Sequence, residues 1–372
     1  MILRTTHLKF YFCGLIMTQF HKLAIADVRK ETVDCVSVAF NIPASLKEEY
    51  KFIQGQYLTL KLNINGEEIR RSYSICSGIY ENELRIAVKR VKGGKGSNFI
   101  VDHLKTGSEV EVMIPKGGFH TPLHPDNKKN YVLFAGGSGI TPMLSIIKTV
   151  LKDEINSNVK LFYGNLDEEA TIFRNQLNDI EKNNSTRVKI YYVLDKPKAP
   201  IDNLFKGMLT TDKAEALVSK FIPLNSDNEF FICGPGPMMS NVKTVLQKLG
   251  VDKKKIHIEY FGTSPEDVPA MPITPVTEKI NSKVTVIQYG IETTFDLASG
   301  GHSILDAAIE AGVDAPFACK GAVCATCRGK VLEGKVQMEK NFALTDSEVA
   351  EGYILTCQSH PITPVVKVDY DA

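Results

Sequence analysis

Four cysteines near the C-terminus constrain this chain more than any other feature of its sequence. Cys319, Cys324 and Cys327 are spaced C-x4-C-x2-C, and Cys357 follows after 29 intervening residues. This spacing is typical of a [2Fe-2S] cluster, in which four thiolates hold two irons. The segment that begins at Cys319, CKGAVCATC, contains small residues that would let the backbone approach the sulfurs and donate N–H groups to them. We therefore expect an iron-sulfur site with these four metal ligands.

A four-cysteine zinc site is the alternative interpretation of the same residues. Zinc sites usually combine two short C-x2-4-C pairs, whereas the fourth cysteine here stands apart. A disulfide framework is disfavoured because eight cysteines are few for 372 residues. Cys13, Cys35 and Cys76 have no such partners, and we expect them to be buried or incidental thiols. The cluster of cysteines in the tail favours a reducing compartment, the cytoplasm.

The composition predicts a globular protein of two or three domains. Hydrophobic residues make up 43% and charged residues 23% of the chain, and a domain contains about 150 residues. The 44 Lys and Arg nearly balance the 43 Asp and Glu. No basic stretch alternates with aromatic residues, so we expect no nucleic-acid partner. No apolar run reaches the ~20 residues that span a bilayer, so we expect no membrane span.

Residues 17–124 are predicted to form an antiparallel β-barrel. Short β-rich runs, separated by turn residues, follow one another with little helix between them, as in closed all-β domains. The six runs are KLAIADV, CVSVAF, QYLTLKL, RSYSI, LRIAVKRV and EVEVMIP. Residues 1–16 are a doubtful N-terminal extension. A secretory signal is disfavoured there, because Lys9 interrupts the apolar run and no small-residue cleavage pattern precedes Met17. We favour Met17 as the start of the protein.

Residues 125–262 are predicted to form an α/β domain with a parallel sheet. Apolar strands such as YVLFAGG, VKLFYGN and EFFICGP alternate with helical segments such as TPMLSIIKTVLK. Residues 263–279 contain four prolines and are predicted to be an extended linker. Residues 280–372 then form a third domain, with strands at KVTVIQY, TTFDL and VVKVDY and a helix at SILDAAIEA.

One short motif in the barrel has the chemistry that binds a flavin. RRSYSICS places Arg71, Tyr73, Ser74 and Ile75 at the end of a predicted strand. An isoalloxazine ring needs an aromatic wall and hydrogen-bond donors along its edge, and the flavin phosphate needs a cation. An ordinary strand with an exposed Arg and a half-buried Tyr is the alternative interpretation.

A second motif in the same domain favours a phosphate. GGKGSNFIVDHL places Gly96 and Ser97 immediately before a predicted short helix, with Ser97 as its N-cap. The backbone N–H groups at a helix N-terminus attract a pyrophosphate. A plain helix cap is the alternative, but the two motifs together favour a flavin dinucleotide.

Two glycine loops in the α/β domain indicate a nucleotide site. GGSGITPM begins at Gly136 and CGPGPMM begins at Cys233, and each follows an apolar strand. Glycines let a pyrophosphate approach backbone donors, and open α/β sheets bind ligands at the carboxyl ends of their strands. Neither loop has the pattern G-x-G-x-x-G. A tight turn between strand and helix is the alternative for each loop.

In this order, the motifs RSYSICS, GGKGS, GGSGITPM and CGPGPMM resemble the ferredoxin-NADP reductase family, and the tail resembles plant-type ferredoxins. With the ferredoxin domain last, the chain is similar to reductase components of bacterial oxygenases over nearly all of residues 17–370. The resemblance implies a multidomain fold: an antiparallel β-barrel flavin domain, an α/β parallel-sheet nucleotide domain and a β-grasp (α+β) ferredoxin domain. CKGAVCATCRGKV and EGYILTCQSHP are most similar to the reductases of phenylacetyl-CoA oxygenases.

The resemblance also implies roles for individual residues. Ser74, Cys233 and Glu259 match the Ser, Cys and Glu around the hydride-transfer centre of the family. Phe261 matches an aromatic residue that covers the flavin. The implied cofactor-binding residues are Arg71, Tyr73, Ser74, Ile75, Val88, Lys89, Gly96, Ser97, Gly136, Gly137, Ser138, Gly139, Thr141, Pro142, Cys233, Gly234, Pro235, Met238 and Phe261.

The implied cofactors are FAD, with FMN as the alternative, a [2Fe-2S] cluster and NAD(P)H. The resemblance leans to NADPH, whose 2′-phosphate requires Arg or Lys. Arg174 and Lys196 are available for that contact, but Asp167 and Asp195 are close to them in the sequence, so the local charges do not decide.

Electrons are expected to pass from NAD(P)H through FAD to the cluster and on to a di-iron oxygenase, with phenylacetyl-CoA 1,2-epoxidase as the expected acceptor. A reductase for a ring-hydroxylating dioxygenase or an acyl desaturase is the alternative. A redox sensor is a third interpretation, but a sensor would be expected to carry an output segment, and the sequence motifs include none.

Overall fold

A computed structural model describes residues 20–261 and 280–372 of the chain. The doubtful extension at 1–16 and the proline-rich linker at 263–279 lie outside the described residues. The described residues form three units, which we name the barrel (20–121), the parallel-sheet unit (130–261) and the tail unit (280–372). The predicted multidomain fold class is confirmed by the two kinds of sheet, antiparallel and parallel, and by their order in the chain.

The barrel consists of six antiparallel strands and one helix. Its elements are β1 (Phe20–Thr32), β2 (Cys35–Asn41), β3 (Tyr57–Ile64), β4 (Glu67–Ser74), β5 (Leu84–Lys89), α1 (Lys95–His103) and β6 (Glu109–Met113). The strand order is β4-β3-β6-β1-β2-β5. A bridge between Ile75 and Ile86 joins the two outer strands, so the sheet closes on itself. Inward-facing Leu58, Leu60 and Val112 are fully buried and form the barrel core.

The parallel-sheet unit contains five strands and four helices. Its elements are β7 (Asn130–Gly136), α2 (Ile140–Asp153), β8 (Asn158–Asn165), α3 (Arg174–Asn183), β9 (Val188–Leu194), α4 (Thr211–Phe221), β10 (Asn228–Cys233), α5 (Gly236–Lys248) and β11 (Ile256–Glu259). All neighbouring strands run parallel, in the order β11-β10-β7-β8-β9. The carboxyl ends of all five strands therefore lie at one edge of the sheet.

Apolar residues cover both faces of this sheet, as continuous buried strands require. On one face, α2 and α3 pack through residues such as Met143 and Leu177, and on the other, α4 and α5 pack through residues such as Leu217 and Val242. The first of these clusters also includes Phe119 of the barrel, together with Cys35 and Cys76. The barrel and the parallel-sheet unit therefore share one hydrophobic core.

The tail unit is a mixed sheet wrapped around a short helix, as the β-grasp prediction requires. Its elements are β12 (Asn281–Gln288), β13 (Ile291–Ala298), α6 (Ile304–Glu310), β14 (Arg328–Glu333), β15 (Val336–Met338), α7 (Asp346–Ala350), β16 (Tyr353–Leu355), β17 (Ser359–Pro361) and β18 (Val365–Asp369). The main sheet has the order β13-β12-β18-β14-β16, in which only β12 and β18 are parallel. Ser303 caps α6, because its Oγ accepts a hydrogen bond from the backbone N–H of Asp306 at 3.2 Å.

The tail unit contacts the barrel through a buried arginine. The Arg70 guanidinium lies 4.3 Å from the centre of the Phe317 ring and 3.8 Å from the Asp314 carboxylate. Arg70 is only 9% exposed, so its contact with Phe317 has little competition from water, whereas the Asp314 side chain is 62% exposed. Within 20–261 and 280–372, no helix has the length and apolar character needed to cross a membrane.

Candidate functional site

Three residues that the sequence analysis singled out meet where the barrel joins the parallel-sheet unit. Ser74 is the last residue of β4, and its Oγ donates a hydrogen bond to Glu259 Oε2 at 3.0 Å. Glu259 ends β11 and Cys233 ends β10, and the two are paired in the parallel register. A hydroxyl, a carboxyl and a thiol from three strand ends therefore lie together.

Burial controls the protonation of this group. Burial raises the pKa of Glu259 from 4.5 to about 8, and the hydrogen bond from Ser74 lowers it by a smaller amount. Burial also raises the pKa of the Cys233 thiol well above its usual range, and the neighbouring Glu259 raises it further. At neutral pH the site therefore holds a neutral thiol and a carboxyl group that keeps its proton.

Arg71, Tyr73 and Gly96 form a cradle on the barrel beside this group. A Cβ atom built on Gly96 would lie 3.1 Å from Arg71 Cγ and 3.7 Å from the Tyr73 hydroxyl. Gly96 is in the first turn of α1, whose N-cap is Gly94 with no side chain to block its free N–H groups. A cation, an aromatic ring and a helix N-terminus thus face one space, and this donor set fits a flavin with its phosphates.

The role predicted for Ser97 as a helix cap is wrong. Helix α1 begins at Lys95, so Gly96 and Ser97 lie inside its first turn instead of before it. The Ser97 hydroxyl accepts a hydrogen bond from the backbone N–H of Val91 at 3.1 Å. It therefore ties the preceding loop to the helix, and the N-terminal donors of α1 stay available because Gly94 has no side chain.

The two glycine loops pack directly against each other. A Cβ atom on Gly139 would lie 2.1 Å from the carbonyl oxygen of Cys233, and one on Gly234 would lie 2.8 Å from the backbone nitrogen of Gly136. Gly136 is equally crowded, because its Cβ would meet Pro235 Cδ at 2.5 Å. These glycines are thus required by the contact between the loops.

The glycine contact brings the N-termini of two helices together at one edge of the sheet. Helix α2 follows the first loop and α5 follows the second. Thr141 strengthens the first turn, where its Oγ1 donates to the carbonyl of Ser138 at 3.0 Å. Pro142 is buried in the same turn, and Met238 packs from α5 against the position of Gly136. The arrangement fits the pyrophosphate of a nicotinamide nucleotide.

The remaining predicted cofactor residues differ in their placement. The side chains of Ile75 and Val88 are fully buried in the barrel core, so only their backbones could face a ligand. Lys89 reaches from the barrel toward the first glycine loop, with its Nζ 3.6 Å from a Cβ built on Gly137. Phe261 is the last described residue before the gap and is 46% exposed.

The four cysteines of the tail unit form two contacting pairs. The Cys324 thiol donates a hydrogen bond to Cys319, which lowers the pKa of Cys319, and the N–H of Gly321 contributes at 3.2 Å from the sulfur. The Cys327 thiol likewise donates to Cys357 and lowers its pKa. In residues 20–261 and 280–372, no three His, Cys, Asp or Glu side chains converge as ligands of a single metal ion.

The backbone of the cluster loop, which we define as residues 319–327, is folded around these sulfurs. Lys320, Ala322 and Ala325 have left-handed φ angles of 50°, 64° and 52°. Such angles are uncommon for residues other than glycine and persist where the surroundings enforce them. The turns direct backbone N–H groups to the sulfurs, including that of Ala322 to Cys357. Two thiol pairs surrounded by N–H donors fit a [2Fe-2S] cluster, with two ligands for each iron.

The residues that connect the cluster loop to the barrel are not predictable from the sequence. Tyr57 lies in a small buried cluster with Ala318 and Cys324, and Arg70 contacts Phe317 as described above. In the sequence, Tyr57 has the pattern of an ordinary strand residue, and Arg70 has the pattern of a surface charge. The one signal in the sequence is the pair of consecutive arginines in RRSYS. The pair does not indicate which arginine contacts the tail unit.

Three family descriptions match the chain in the order of its units. The Oxidoreductase FAD-binding domain matches residues 22–121, the Oxidoreductase NAD-binding domain matches 133–244, and the 2Fe-2S iron-sulfur cluster binding domain matches 286–361. FAD, NAD(P)H and a [2Fe-2S] cluster are therefore the redox groups of this chain. FMN and zinc, the alternatives from the sequence, have no support from these matches.

Two relatives match nearly the whole length of the chain. The chain is 41% identical over 361 residues to a subunit of 1,2-phenylacetyl-CoA epoxidase from Escherichia coli (strain K12), in an alignment that covers 96% of this chain and 99% of the relative. It is 30% identical to the ferredoxin reductase component of 3-ketosteroid-9-alpha-monooxygenase from Rhodococcus rhodochrous, over 94% of this chain and 96% of that protein.

A solved structure agrees with these relatives. Phthalate dioxygenase reductase is 26% identical to this chain, in an alignment that covers 94% of this chain and 98% of that protein. The two structures superpose with a TM-score of 0.57. It is described as a modular structure for electron transfer from pyridine nucleotides to [2Fe-2S]. The chain belongs to the family of flavin and iron-sulfur reductases that serve as the electron-transfer components of oxygenases.

Proposed function

We propose that this chain takes electrons from NADPH and delivers them to a di-iron oxygenase that epoxidises phenylacetyl-CoA. The observation that carries the proposal is the meeting of Ser74, Glu259 and Cys233 at the boundary of the barrel and the parallel-sheet unit. The 41% identity to the epoxidase relative, over nearly the whole of both chains, supports this choice of acceptor. We further propose 17–124, 125–262 and 280–372 as the domain boundaries.

Each group of residues has a distinct task in this proposal. Arg71 and the N-terminus of α1 bind the FAD phosphates, and Tyr73 packs on the flavin ring. The first turns of α2 and α5 bind the nucleotide phosphates. The cluster loop and Cys357 hold the cluster. When bound, FAD accepts two electrons as a hydride from the nucleotide and passes them on singly, as a [2Fe-2S] cluster requires.

Glu259 holds a proton beside the flavin site in this proposal. Its pKa of about 8 keeps the carboxyl group mostly protonated at neutral pH, and Ser74 orients it through the 3.0 Å hydrogen bond. Cys233 contributes an uncharged thiol of small volume at the end of β10. The three residues thus orient the nicotinamide and exclude water from the position where the hydride moves.

The test of the acceptor is a reconstituted reaction. The purified holoenzyme is mixed with the oxygenase component of phenylacetyl-CoA epoxidase, and epoxide formation is followed with NADPH as the only electron donor. We expect epoxide to form at a rate proportional to the amount of reductase. A reductase that supports a ring-hydroxylating dioxygenase and leaves the epoxidase inactive would favour the second candidate, which the likeness to phthalate dioxygenase reductase supports.

The preference for NADPH is part of the proposal. The segments after β8 and β9 run side by side, because the N–H of Lys196 donates to the carbonyl of Leu166 at 2.7 Å. Lys196 therefore stands at the edge where the adenosine end of a nucleotide lies in open α/β sheets. Lys198 is less available, because its ammonium group pairs with Glu169.

Two substitutions test this preference. We expect Lys196→Ala to lower kcat/KM for NADPH about tenfold, because one charged contact with the phosphate is lost. The kcat/KM for NADH should change little. Lys198→Ala is the matched control and should leave the ratio of kcat/KM for NADPH to kcat/KM for NADH unchanged. Equal losses with both nucleotides in Lys196→Ala would contradict selection of NADPH by this residue.

We also propose that the protein works in the cytoplasm. All seven cysteines in the described segments are thiols without a disulfide partner, which suits a reducing compartment. The measurement is fractionation of cells that express the tagged chain. Recovery in a periplasmic or secreted fraction would contradict the proposal.

A further inference from the structure

Tyr57 occupies a position between the flavin site and the cluster loop. It is the first residue of β3, and it lies opposite Ser74, the last residue of the neighbouring strand β4. Ser74 in turn contacts Glu259. On its other side, its backbone N–H donates to the carbonyl of Lys116 at 2.8 Å. The side chain is 5% exposed. Tyr57 therefore lies directly opposite a residue of the flavin site, while its backbone N–H and carbonyl both pair with Lys116.

The hydroxyl of Tyr57 reaches into the tail unit. It donates a hydrogen bond to the carbonyl oxygen of Cys324, and its oxygen lies 2.9 Å from Thr326 Oγ1. Thr326 also donates its backbone N–H to the Cys324 sulfur. Between these two residues, Ala325 has a left-handed φ of 52°. One phenol thus contacts both sides of a strained turn that carries a cluster ligand.

The ring of Tyr57 has room for this orientation because Gly117 has no side chain. A Cβ atom on Gly117 would lie 2.9 Å from both Cδ1 and Cε1 of the ring, so only glycine leaves room for it. Gly117 also has a φ of 114°, which glycine adopts without strain. Ala318 and Cys324 pack against the ring from the tail unit.

We propose that Tyr57 is a positioning residue that fixes the cluster loop against the barrel strand that ends at Ser74. Through its hydroxyl it sets the separation and orientation between the flavin site and the iron-sulfur site. Electron transfer between two sites slows steeply as their separation increases, so a small loss of register has a large effect on the rate. A tyrosine that served only the packing of the barrel would have no need of the hydroxyl, which bonds only to the tail unit in the described residues. This inference rests on the proposed route of electrons from NADPH to the cluster.

The test compares two tyrosine-to-phenylalanine variants of the full-length holoenzyme. Tyr57→Phe keeps the ring and removes the hydroxyl. Tyr50→Phe is the matched control, because Tyr50 is also a buried barrel tyrosine whose hydroxyl donates to a backbone carbonyl, that of Val112 at 2.6 Å. Four quantities are measured. Two are activities: reduction of ferricyanide, which takes electrons upstream of the cluster, and reduction of cytochrome c, which requires the cluster. The other two are the EPR spectrum of the reduced cluster and the rate at which limited trypsin digestion releases the tail unit.

We expect Tyr57→Phe to lower cytochrome c reduction about fivefold or more, the factor that corresponds to one buried hydrogen bond. Ferricyanide reduction should stay within about twofold of wild type, while the tail unit is released faster and the EPR spectrum is altered. Tyr50→Phe should change none of these four quantities. Equal losses of both activities in Tyr57→Phe, or wild-type digestion and EPR spectra, would overturn the inference. Wild-type protein that reduces ferricyanide but not cytochrome c would instead refute the proposed route, and the digestion rates would still decide whether Tyr57 holds the loop.

Discussion

Ser74 and Glu259 are joined by a 3.0 Å hydrogen bond although they belong to different units of the protein. Ser74 ends a strand of the antiparallel barrel, and Glu259 ends the outermost strand of the parallel sheet. The shared hydrophobic core below them keeps the two strand ends together. The functional site is therefore a property of the interface, and neither unit could form it alone.

Removal of the Ser74 hydroxyl tests the role of this bond. Because the bond stabilises the carboxylate, Ser74→Ala should raise the pKa of Glu259 further above about 8. The pH profile of NADPH-dependent ferricyanide reduction should move to higher pH, and the rate at neutral pH should fall about 2- to 10-fold, the loss of one hydrogen bond to an uncharged carboxyl group. Ser72→Ala is the control, since Ser72 lies on the same strand and bonds only Thr59 among the described residues. An unchanged pH profile in Ser74→Ala would refute the assigned role.

The raised pKa of Glu259 also makes the stability of the protein depend on pH. The folded chain keeps this proton up to about pH 8, whereas the unfolded chain loses it near 4.5. The contribution to the free energy of unfolding is complete below the lower value and is lost as the pH rises through the higher one. Relative to wild type, Glu259→Gln should therefore gain about 4 kcal/mol between about pH 5 and about pH 9.

Denaturant titrations of both proteins at the two pH values measure this difference. Glu333→Gln, on the exposed end of β14, is the control for loss of a carboxylate elsewhere. A difference between wild type and Glu259→Gln that is the same at both pH values would show that Glu259 titrates normally.

Loss of a cluster ligand should separate the two halves of the reaction. Cys327→Ser removes one member of a thiol pair, so the variant should lose bound iron and its cytochrome c reduction should fall to background. Ferricyanide reduction should continue, because Ser74, Glu259 and Cys233 are untouched. Cys35→Ala removes a thiol that is buried outside the tail unit and should retain both iron and activity. Normal reduction of cytochrome c by Cys327→Ser would disprove the electron route.

The contact between the glycine loops predicts a structural effect. In Gly139→Ala the new methyl group would overlap the Cys233 carbonyl oxygen, at 2.1 Å, and push the two loops apart. We expect a higher KM for NADPH and a loss of about 1–3 kcal/mol in the free energy of unfolding. Gly118→Ala, where nothing lies within 4 Å of the new atom, is the control. A wild-type KM and stability in Gly139→Ala would show that the loops are not packed this way.

The sequence predicted the elements whose signals are local. Six barrel strands and the strands β7 to β10 follow from apolar and alternating patterns, and the cluster ligands follow from their spacing. In the parallel-sheet unit α4 and β11 were not predicted, and in the tail unit β14, β15, α7, β16 and β17 were not predicted. Strand β11 is short and only partly buried, and it follows three consecutive lysines, so its identity depends on pairing with β10.

The features that the sequence could not supply depend on particular contacts, some local and some between units, that residue patterns do not report. Ser97 was assigned as a helix cap because serine is favoured there, but Gly94 lets α1 begin earlier and the hydroxyl binds Val91 instead. Tyr57 bonds to Cys324, which lies 267 residues further along the chain. No periodicity or spacing reports a contact at that separation.

We propose that one polypeptide passes electrons from NADPH to its own iron-sulfur cluster. The most direct measurement is an anaerobic titration of the purified holoenzyme with NADPH, followed by flavin absorbance and by EPR of the reduced cluster. We predict that the cluster signal grows as the flavin band is bleached. Bleaching of the flavin without a cluster signal, or a folded protein that binds zinc in place of iron at its four cysteines, would refute this electron route.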